Sequence, residues 1–126
     1  MARKAHPRGA EGERLAVRFL KKKGYKILQR NYAVGAGEVD LVALDGADLV
    51  FAEVKSRASA DFAPPESSIT RVKQRRMALV AQDYCRRHNL DGVNARFDVI
   101  TVLLLPTGKH DIQHFEGAFF LPAHGR

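Results

Sequence analysis

Residues 37–57 read Gly-Glu-Val-Asp-Leu-Val-Ala-Leu-Asp-Gly-Ala-Asp-Leu-Val-Phe-Ala-Glu-Val-Lys-Ser-Arg, and the reading of this stretch decides the fold. Two apolar, β-rich runs, 39–44 and 49–54, flank Asp45-Gly46-Ala47-Asp48, which predicts a β-hairpin with a tight turn. A turn symmetric about Gly46-Ala47 sets Asp45 opposite Asp48, Val42 opposite Phe51, Asp40 opposite Glu53 and Glu38 opposite Lys55. Because side chains alternate along a strand, Glu38, Asp40, Val42, Phe51, Glu53 and Lys55 then share one face. Val39, Leu41, Ala43, Val50, Ala52 and Val54 form a wholly apolar second face. A one-residue slip would exchange the two faces, and the apolar face argues against it.

Cross-strand Cβ atoms stand roughly 5 Å apart, so opposed carboxylates repel. Asp40 and Glu53 in an apolar sheet therefore call for a cation, in part Lys55 and in part a divalent metal. The same residues also suit a solvated hairpin end, with Glu38–Lys55 as an ordinary cross-strand ion pair.

Gly-Glu-x-Asp followed by Glu-x-Lys at the end of the next strand resembles the PD-(D/E)xK nuclease superfamily, which includes restriction endonucleases and archaeal Holliday-junction resolvases. Most of the chain is similar to the bacterial YraN-like family of predicted endonucleases. The matching segments are Gly9-x-x-Gly12-Glu13, Gly24-Tyr25-x-Ile27-Leu28-x-Arg30-Asn31, the hairpin, Lys73-Gln74 and Arg96-Phe97-Asp98-Val99.

The resemblance implies an α/β, restriction-endonuclease-like fold: a central mixed sheet of four or five strands flanked by helices, in the order α-β-β-β-α-β-(β). It implies that Asp40, Glu53 and Glu13 hold Mg²⁺ or Mn²⁺ and that Lys55 assists the attacking water. Gln74 would orient that water or a phosphate oxygen. Glu38 would pair with Lys55 or bind the metal through water.

The chain has 126 residues, enough for one domain with its own core. Residues 9–121 are expected to form it, with a basic arm at 1–8 and a loose tail at 122–126. Twenty-one Lys and Arg against fourteen Asp and Glu give a net charge of +7, which favours a polyanionic partner, nucleic acid before membrane. Cys85 is the single cysteine, so no disulfide framework exists and a reducing cytoplasm is expected. It reads as a buried filler. The basic N-terminus lacks the apolar core of a signal peptide, and the apolar runs are too short to span a bilayer.

Apolar spacing predicts a first helix over 9–23, with Leu15, Ala16, Phe19 and Leu20 inward and Gly24 as its stop. Glu13 falls on or beside that stripe, where it reaches the sheet or simply complements the helix dipole. A strand follows over 25–33, with Ile27 and Tyr32 inward. Gly35 and Gly37 lack the following helix and the Lys-Ser/Thr of a nucleotide loop.

Residues 56–66 read as a loop. A second helix is expected to reach His88 from a cap at Ser67 or Ser68, with Ile69, Val72, Val80, Ala81, Tyr84 and Cys85 inward. Its first half carries Arg71, Lys73, Arg75 and Arg76, which with Arg57 are candidate phosphate contacts; a solvated face is the alternative. Residues 96–105 read as an interior strand, and 112–120 as an edge strand or a short helix. Asp98 reads as a structural acid. His110 and His114 have the spacing of a helical zinc pair, but their surroundings look like turn and strand.

The chemistry expected is metal-dependent phosphodiester hydrolysis in DNA. The rival is a non-catalytic nucleic-acid-binding or interaction module on the same fold. Junction cleavage would require a symmetric homodimer, because two strands must be cut.

Overall fold

The computed structural model describes residues 7–35, 37–58 and 69–119, with side chains from Gly9 onward. Helix α1 (Pro7–Lys22) precedes strands β1 (Lys26–Val34), β2 (Gly37–Asp45) and β3 (Asp48–Ala58). Helix α2 (Arg71–Arg87) then leads to β4 (Ala95–Leu104) and β5 (His110–Phe119). The strands make one mixed sheet in the order β1-β2-β3-β4-β5. Only the β3–β4 pair is parallel. Parallel neighbours cannot be joined by a tight turn, so the chain between them crosses over through α2. The α/β class and the element order are those expected, and the last segment is a strand.

One helix covers each face. Leu15, Ala16 and Leu20 of α1 pack on Leu41, Ala43, Val50, Ala52, Ile100 and Val102. Met77, Val80, Ala81 and Tyr84 of α2 pack on Val42, Phe51 and Phe97. Strands β3 and β4 are thus buried on both sides, which is why their sequences run apolar rather than alternating cleanly. Aromatic contacts carry the α2 layer out to the sheet edge: Phe51 meets Tyr84 and Phe97, each at 5.8 Å between centroids, and Phe97 stacks on Phe119 at 4.7 Å. No helix of the described residues is long and apolar enough to cross a membrane.

Several local expectations change. Helix α1 begins at Pro7, so residues 7 and 8 of the expected arm are helical; proline suits a first helical turn, where its missing N–H has no intrahelical role. Residues 1–6 of that arm, and the tail 122–126, lie outside the described residues. The cap of α2 is Thr70, whose side chain accepts from the Lys73 N–H, and Ser67 and Ser68 lie outside the described residues. Val72 faces outward, 47% exposed, because at 3.6 residues per turn it lies on the far side of the helix from Val80, Ala81 and Tyr84, and Met77 takes the inward role. Ile69 is buried just ahead of the helix. Cys85 is half-buried beside the α2 layer, and burial pushes its thiol pKa up, away from a nucleophile's range.

Two glycines set how closely helices approach the sheet. A Cβ on Gly12 would stand 1.8 Å from Ser56 Oγ, and one on Gly37 would stand 2.8 Å from Val80 and 2.9 Å from the Arg76 carbonyl oxygen. Backbone therefore meets side chain directly where α1 crosses β3 and where β2 starts beneath α2.

Gly12→Ala tests the first contact. Alanine gains about 1 kcal/mol of helix propensity, yet overpacking is expected to leave a net loss of about 1–3 kcal/mol in urea unfolding. Adding Ser56→Ala removes the closest atom and should recover part of that loss, since the contact left is Cβ at 3.1 Å. Wild-type stability of Gly12→Ala alone would mean that α1 does not lie this close to β3.

Candidate active site

Strands β2 and β3 pair from Asp45–Asp48 to Leu41–Ala52, with Val42 opposite Phe51 as expected. The expected Asp40–Glu53 and Glu38–Lys55 pairs do not continue this ladder. Instead Asp40 Oδ2 accepts a hydrogen bond from the Val54 N–H at 2.7 Å. A buried N–H needs an acceptor, and the carboxylate takes the place of a cross-strand carbonyl. Beyond that point β2 remains paired with β1 through Val34–Gly37, while β3 remains paired with β4 through Ala58–Leu104. The sheet thus parts where two acids would otherwise be pressed together. Val39 also leaves the face of Leu41 and packs with Tyr32 and Val42 on the α2 side, which corrects the wholly apolar face expected for it.

Asp40 is 2% and Glu53 3% exposed. Glu53 Oε2 accepts a hydrogen bond from Lys73 Nζ and lies 3.5 Å from Lys55 Nζ. Burial raises the pKa of Glu53, and the Asp40 charge adds to this; the two lysines act against both. Burial likewise lowers the pKa of Lys55, helped by the charge of Lys73 and opposed by Glu53. Burial lowers that of Lys73 too, but the bond to Glu53 outweighs it and the net direction is upward.

Lys73, expected as a phosphate contact, is placed by the structure on Glu53, a partner the sequence did not indicate. Thr70 Oγ1 accepts from the Lys73 N–H at 3.1 Å and fixes the first turn of α2 over the parted strands. Gln74, the expected positioning residue, instead donates its amide to the Ile69 carbonyl oxygen at 3.1 Å. The available signal was the Lys73-Gln74 doublet itself, whose two members point to different sides of the helix start.

Glu13 is 8% exposed on α1. Asn31 Nδ2 donates to its Oε1 at 3.1 Å, and Arg30 Nη2 stands 3.7 Å from the same oxygen. The matched Arg30-Asn31 doublet thus holds the helix acid, with Asn31 at φ 54° in the left-handed region that asparagine tolerates. The β1–β2 pairs Arg30–Leu41 and Tyr32–Val39 bracket Asn31 and Asp40, so Glu13 is tied to the stretch of β1 that faces Asp40. Glu38 is half-buried opposite Ala33 on β1, not opposite Lys55. Arg57 is half-buried farther along β3, and Arg71, Arg75 and Arg76 are exposed on α2.

Among the described residues, no three or more His, Cys, Asp or Glu side chains converge as they would around a metal ion. Asp40 and Glu53 nevertheless make a pair of buried hard oxygen donors close enough for one charge to perturb the other. That donor chemistry fits Mg²⁺, which needs only one or two protein carboxylates and keeps its waters.

A second charged cluster lies at the turn end of the sheet. Asp98 is fully buried and accepts from Arg96 Nε at 2.9 Å, Arg96 Nη2 at 3.0 Å and the Gly117 N–H at 3.0 Å. His114 Nε2 lies 2.7 Å from Asp98 Oδ2, and Lys23 Nζ lies 2.8 Å from His114 Nδ1. An ammonium can only donate, so Nδ1 accepts and Nε2 carries the hydrogen given to Asp98. Arg96 also donates to Tyr25 Oη at 2.8 Å and Asp45 Oδ2 at 3.0 Å. Burial pushes the Tyr25 pKa up to about 12. Burial would raise Asp98, but the bonds from His114, Arg96 and Gly117 outweigh it and hold its carboxyl below the ordinary range. Every strong acceptor here has a donor, so the cluster ties β4, β5, the hairpin turn and the end of α1 together. His114 is committed to it; four residues of strand, about 13 Å, separate it from His110, which removes the zinc pairing.

Residues 12–102 match the family described as "Uncharacterised protein family UPF0102". A UPF0102 protein of Solibacter usitatus is 44% identical over 113 residues, covering 88% of this chain and 84% of the relative. One from Chlorobaculum tepidum is 42% identical over 122 residues, 93% of this chain and 95% of the relative. One from Alkaliphilus oremlandii is 43% identical over 113 residues, 88% and 96% respectively.

Two measurements probe these clusters. In Lys73→Met, loss of the hydrogen-bonded cation should move the Glu53 carboxyl midpoint further above its ordinary 4.5, followed by carbon-13 NMR titration; an unchanged midpoint would mean that the pair is not populated in solution. Asp98→Asn leaves Arg96 without its main counter-charge and should cost about 3–5 kcal/mol in urea unfolding at neutral pH. Because the folded pKa of Asp98 lies below its ordinary 3.8, its contribution is present above that value and fades as pH falls through the folded one. The variant should therefore lose roughly one proton's worth of acid sensitivity.

Proposed function

Since the chain belongs to the uncharacterised family UPF0102, the YraN-like group, we propose that it is a metal-dependent endonuclease that hydrolyses phosphodiester bonds in DNA, structured or branched DNA included. The observation that carries this reading is the parted end of β2 and β3, where two buried carboxylates meet two lysines under a basic helix.

Asp40 and Glu53 would hold Mg²⁺ or Mn²⁺. Glu13 stands behind them on α1 and would hold it with them or through water. When bound, such an ion makes a nearby water more acidic and offsets the charge of the phosphate. The chain's own residues do the rest. Asp40 accepts the Val54 N–H where the strands part, which leaves the two buried acids side by side at the sheet end. Lys55, its pKa lowered by burial, donates to the attacking water or to the phosphoryl oxygen on which charge builds. Lys73 neutralises Glu53 before substrate arrives and is free to turn to a phosphate once another cation takes its place. Arg57, Arg71, Arg75 and Arg76 hold the backbone by charge, a contact that weakens as salt rises. A cytoplasmic setting belongs to the same proposal and suits an unpaired Cys85.

A second reading, a non-catalytic nucleic-acid-binding module, is favoured by the bond from Lys73 to Glu53, which already satisfies the buried carboxylate without a metal.

Cleavage of labelled duplex, single-stranded, flap and four-way-junction DNA with Mg²⁺, Mn²⁺ or EDTA decides between them. On the enzyme reading, Asp40→Asn and Lys55→Ala each reduce metal-dependent cutting at least a hundredfold, the scale of one lost transition-state contact, and leave binding in EDTA largely intact. Cutting that survives both substitutions overturns the assignment, and salt-sensitive binding with no cutting of any substrate favours the module.

A further inference from the structure

Between α1 and β5 lies a cavity of about 320 Å³ lined by Leu15, Arg18, Phe19, Lys22, His110 and Ile112. Its chemistry is divided. Leu15, Phe19 and Ile112 form an apolar floor continuous with the α1 layer of the core. Arg18, Lys22 and His110 are exposed around it. No hydrogen bond or ion pair to described residues occupies any of the three. Glu11 lies near enough to feel His110, but its carboxylate is bound by Arg14 at 2.8 and 3.2 Å. The lining itself contains no acid.

We infer that this groove is a subsite for one nucleotide of a polynucleotide strand, its phosphate on Arg18, Lys22 and His110 and its base against Phe19. Three features select this ligand class. Cations without acids select an anion. An apolar floor with a partly exposed aromatic ring selects an anion that carries a flat or apolar body, and base–aromatic stacking supplies that contact without sequence preference. The volume sits at the lower end of the roughly 300–1,000 Å³ of small-molecule sites, the scale of one nucleotide rather than a whole folded partner.

The position in the sheet links the groove to the candidate active site. Ile112 pairs with Val102, and Val102 pairs with Ser56, the residue after Lys55. Two strand spacings, about 10 Å, therefore separate the groove from Ser56 on the α1 face, while Lys55 faces α2 on the other side of the sheet. The in-plane part alone is the reach of about three nucleotides at ~3.4 Å of rise per charge on a strand, and passing around the sheet end to Lys55 adds to it. A strand whose scissile phosphate lies at Lys55 would pass over the ends of β3 and β4 and seat a flanking nucleotide between α1 and β5. The inference rests on the nuclease reading for the location of the cut, but binding in the groove is measured without cutting.

The test uses the full chain in EDTA and a fluorescent thymidine oligonucleotide, with affinity followed against salt. Replacing Arg18 and Lys22 together with alanine should flatten the plot of log affinity against log salt by about 0.7, the value for one lost single-strand phosphate contact. Leu79→Ala, an exposed change on α2 outside both sites, should keep the wild-type slope. By NMR, thymidine 3′,5′-bisphosphate should shift the Phe19, Ile112 and His110 signals, whereas inorganic phosphate at equal concentration should leave Phe19 and Ile112 in place. An unchanged slope in the double variant overturns the subsite. So does inorganic phosphate that shifts the same signals at the same concentration, which would mark a plain anion site. Cleavage that survives Asp40→Asn and Lys55→Ala, with the slope change still present, would remove the nuclease reading and leave the groove standing.

Discussion

A carboxylate 3% exposed at the end of a buried strand cannot stand alone. Ionised and unpaired, Glu53 would carry a desolvation cost of several kcal/mol, and Asp40 beside it makes the problem worse. The structure meets this constraint with geometry and charge together. The strands part, Asp40 turns its oxygen onto the Val54 N–H, and two ammonium groups gather on Glu53. One of them comes along β3 and the other from the first turn of α2, so the crossover helix is fixed over the parted strands by the same charge that offsets the acids. The register of β2, the start of α2 and the placing of Lys73 all follow from it.

The opposite face of the sheet, one residue away in register, shows the same physics with a different outcome. Asp98 is more deeply buried than Glu53, yet its partners are a bidentate guanidinium, an imidazole and a backbone N–H. Those donors fix both oxygens and lower the carboxyl pKa, whereas Glu53 meets two lysines and a second acid and has its pKa raised. A fully satisfied carboxylate braces a fold. One held by exchangeable cations beside another acid is poised for a ligand. The contrast separates the two clusters by chemistry, without reference to motif.

Much of this was legible along the chain because the signals are local. The turn at Gly46-Ala47, the pairing of Val42 with Phe51, the stop at Gly24 and the apolar stripe of α1 each depend on residues a few positions apart. The Asp40–Glu53 pair follows from extending the hairpin register, but the ladder stops at Leu41–Ala52 because Asp40 takes the Val54 N–H, a contact that spacing does not show. Val72 faces outward because helical periodicity sets it opposite Met77, Val80, Ala81 and Tyr84, the residues that the sheet buries. His114 could not be placed at all, since its partners Asp98 and Lys23 lie 16 and 91 residues away.

The sequence by itself determined the α/β order, the hairpin and the acids and lysine at its open end, because helix and strand periods and turn chemistry act over short spans of chain. Tertiary structure decided that Lys73 rather than Gln74 reaches Glu53, that Arg30 and Asn31 hold Glu13, and that Arg96, Asp98 and His114 form one network. It also decided that α1 and β5 enclose a basic groove. Each of these depends on which distant residues share a few ångströms of low-dielectric space, and charge pairing there is set by burial and direction, which spacing along the chain does not encode.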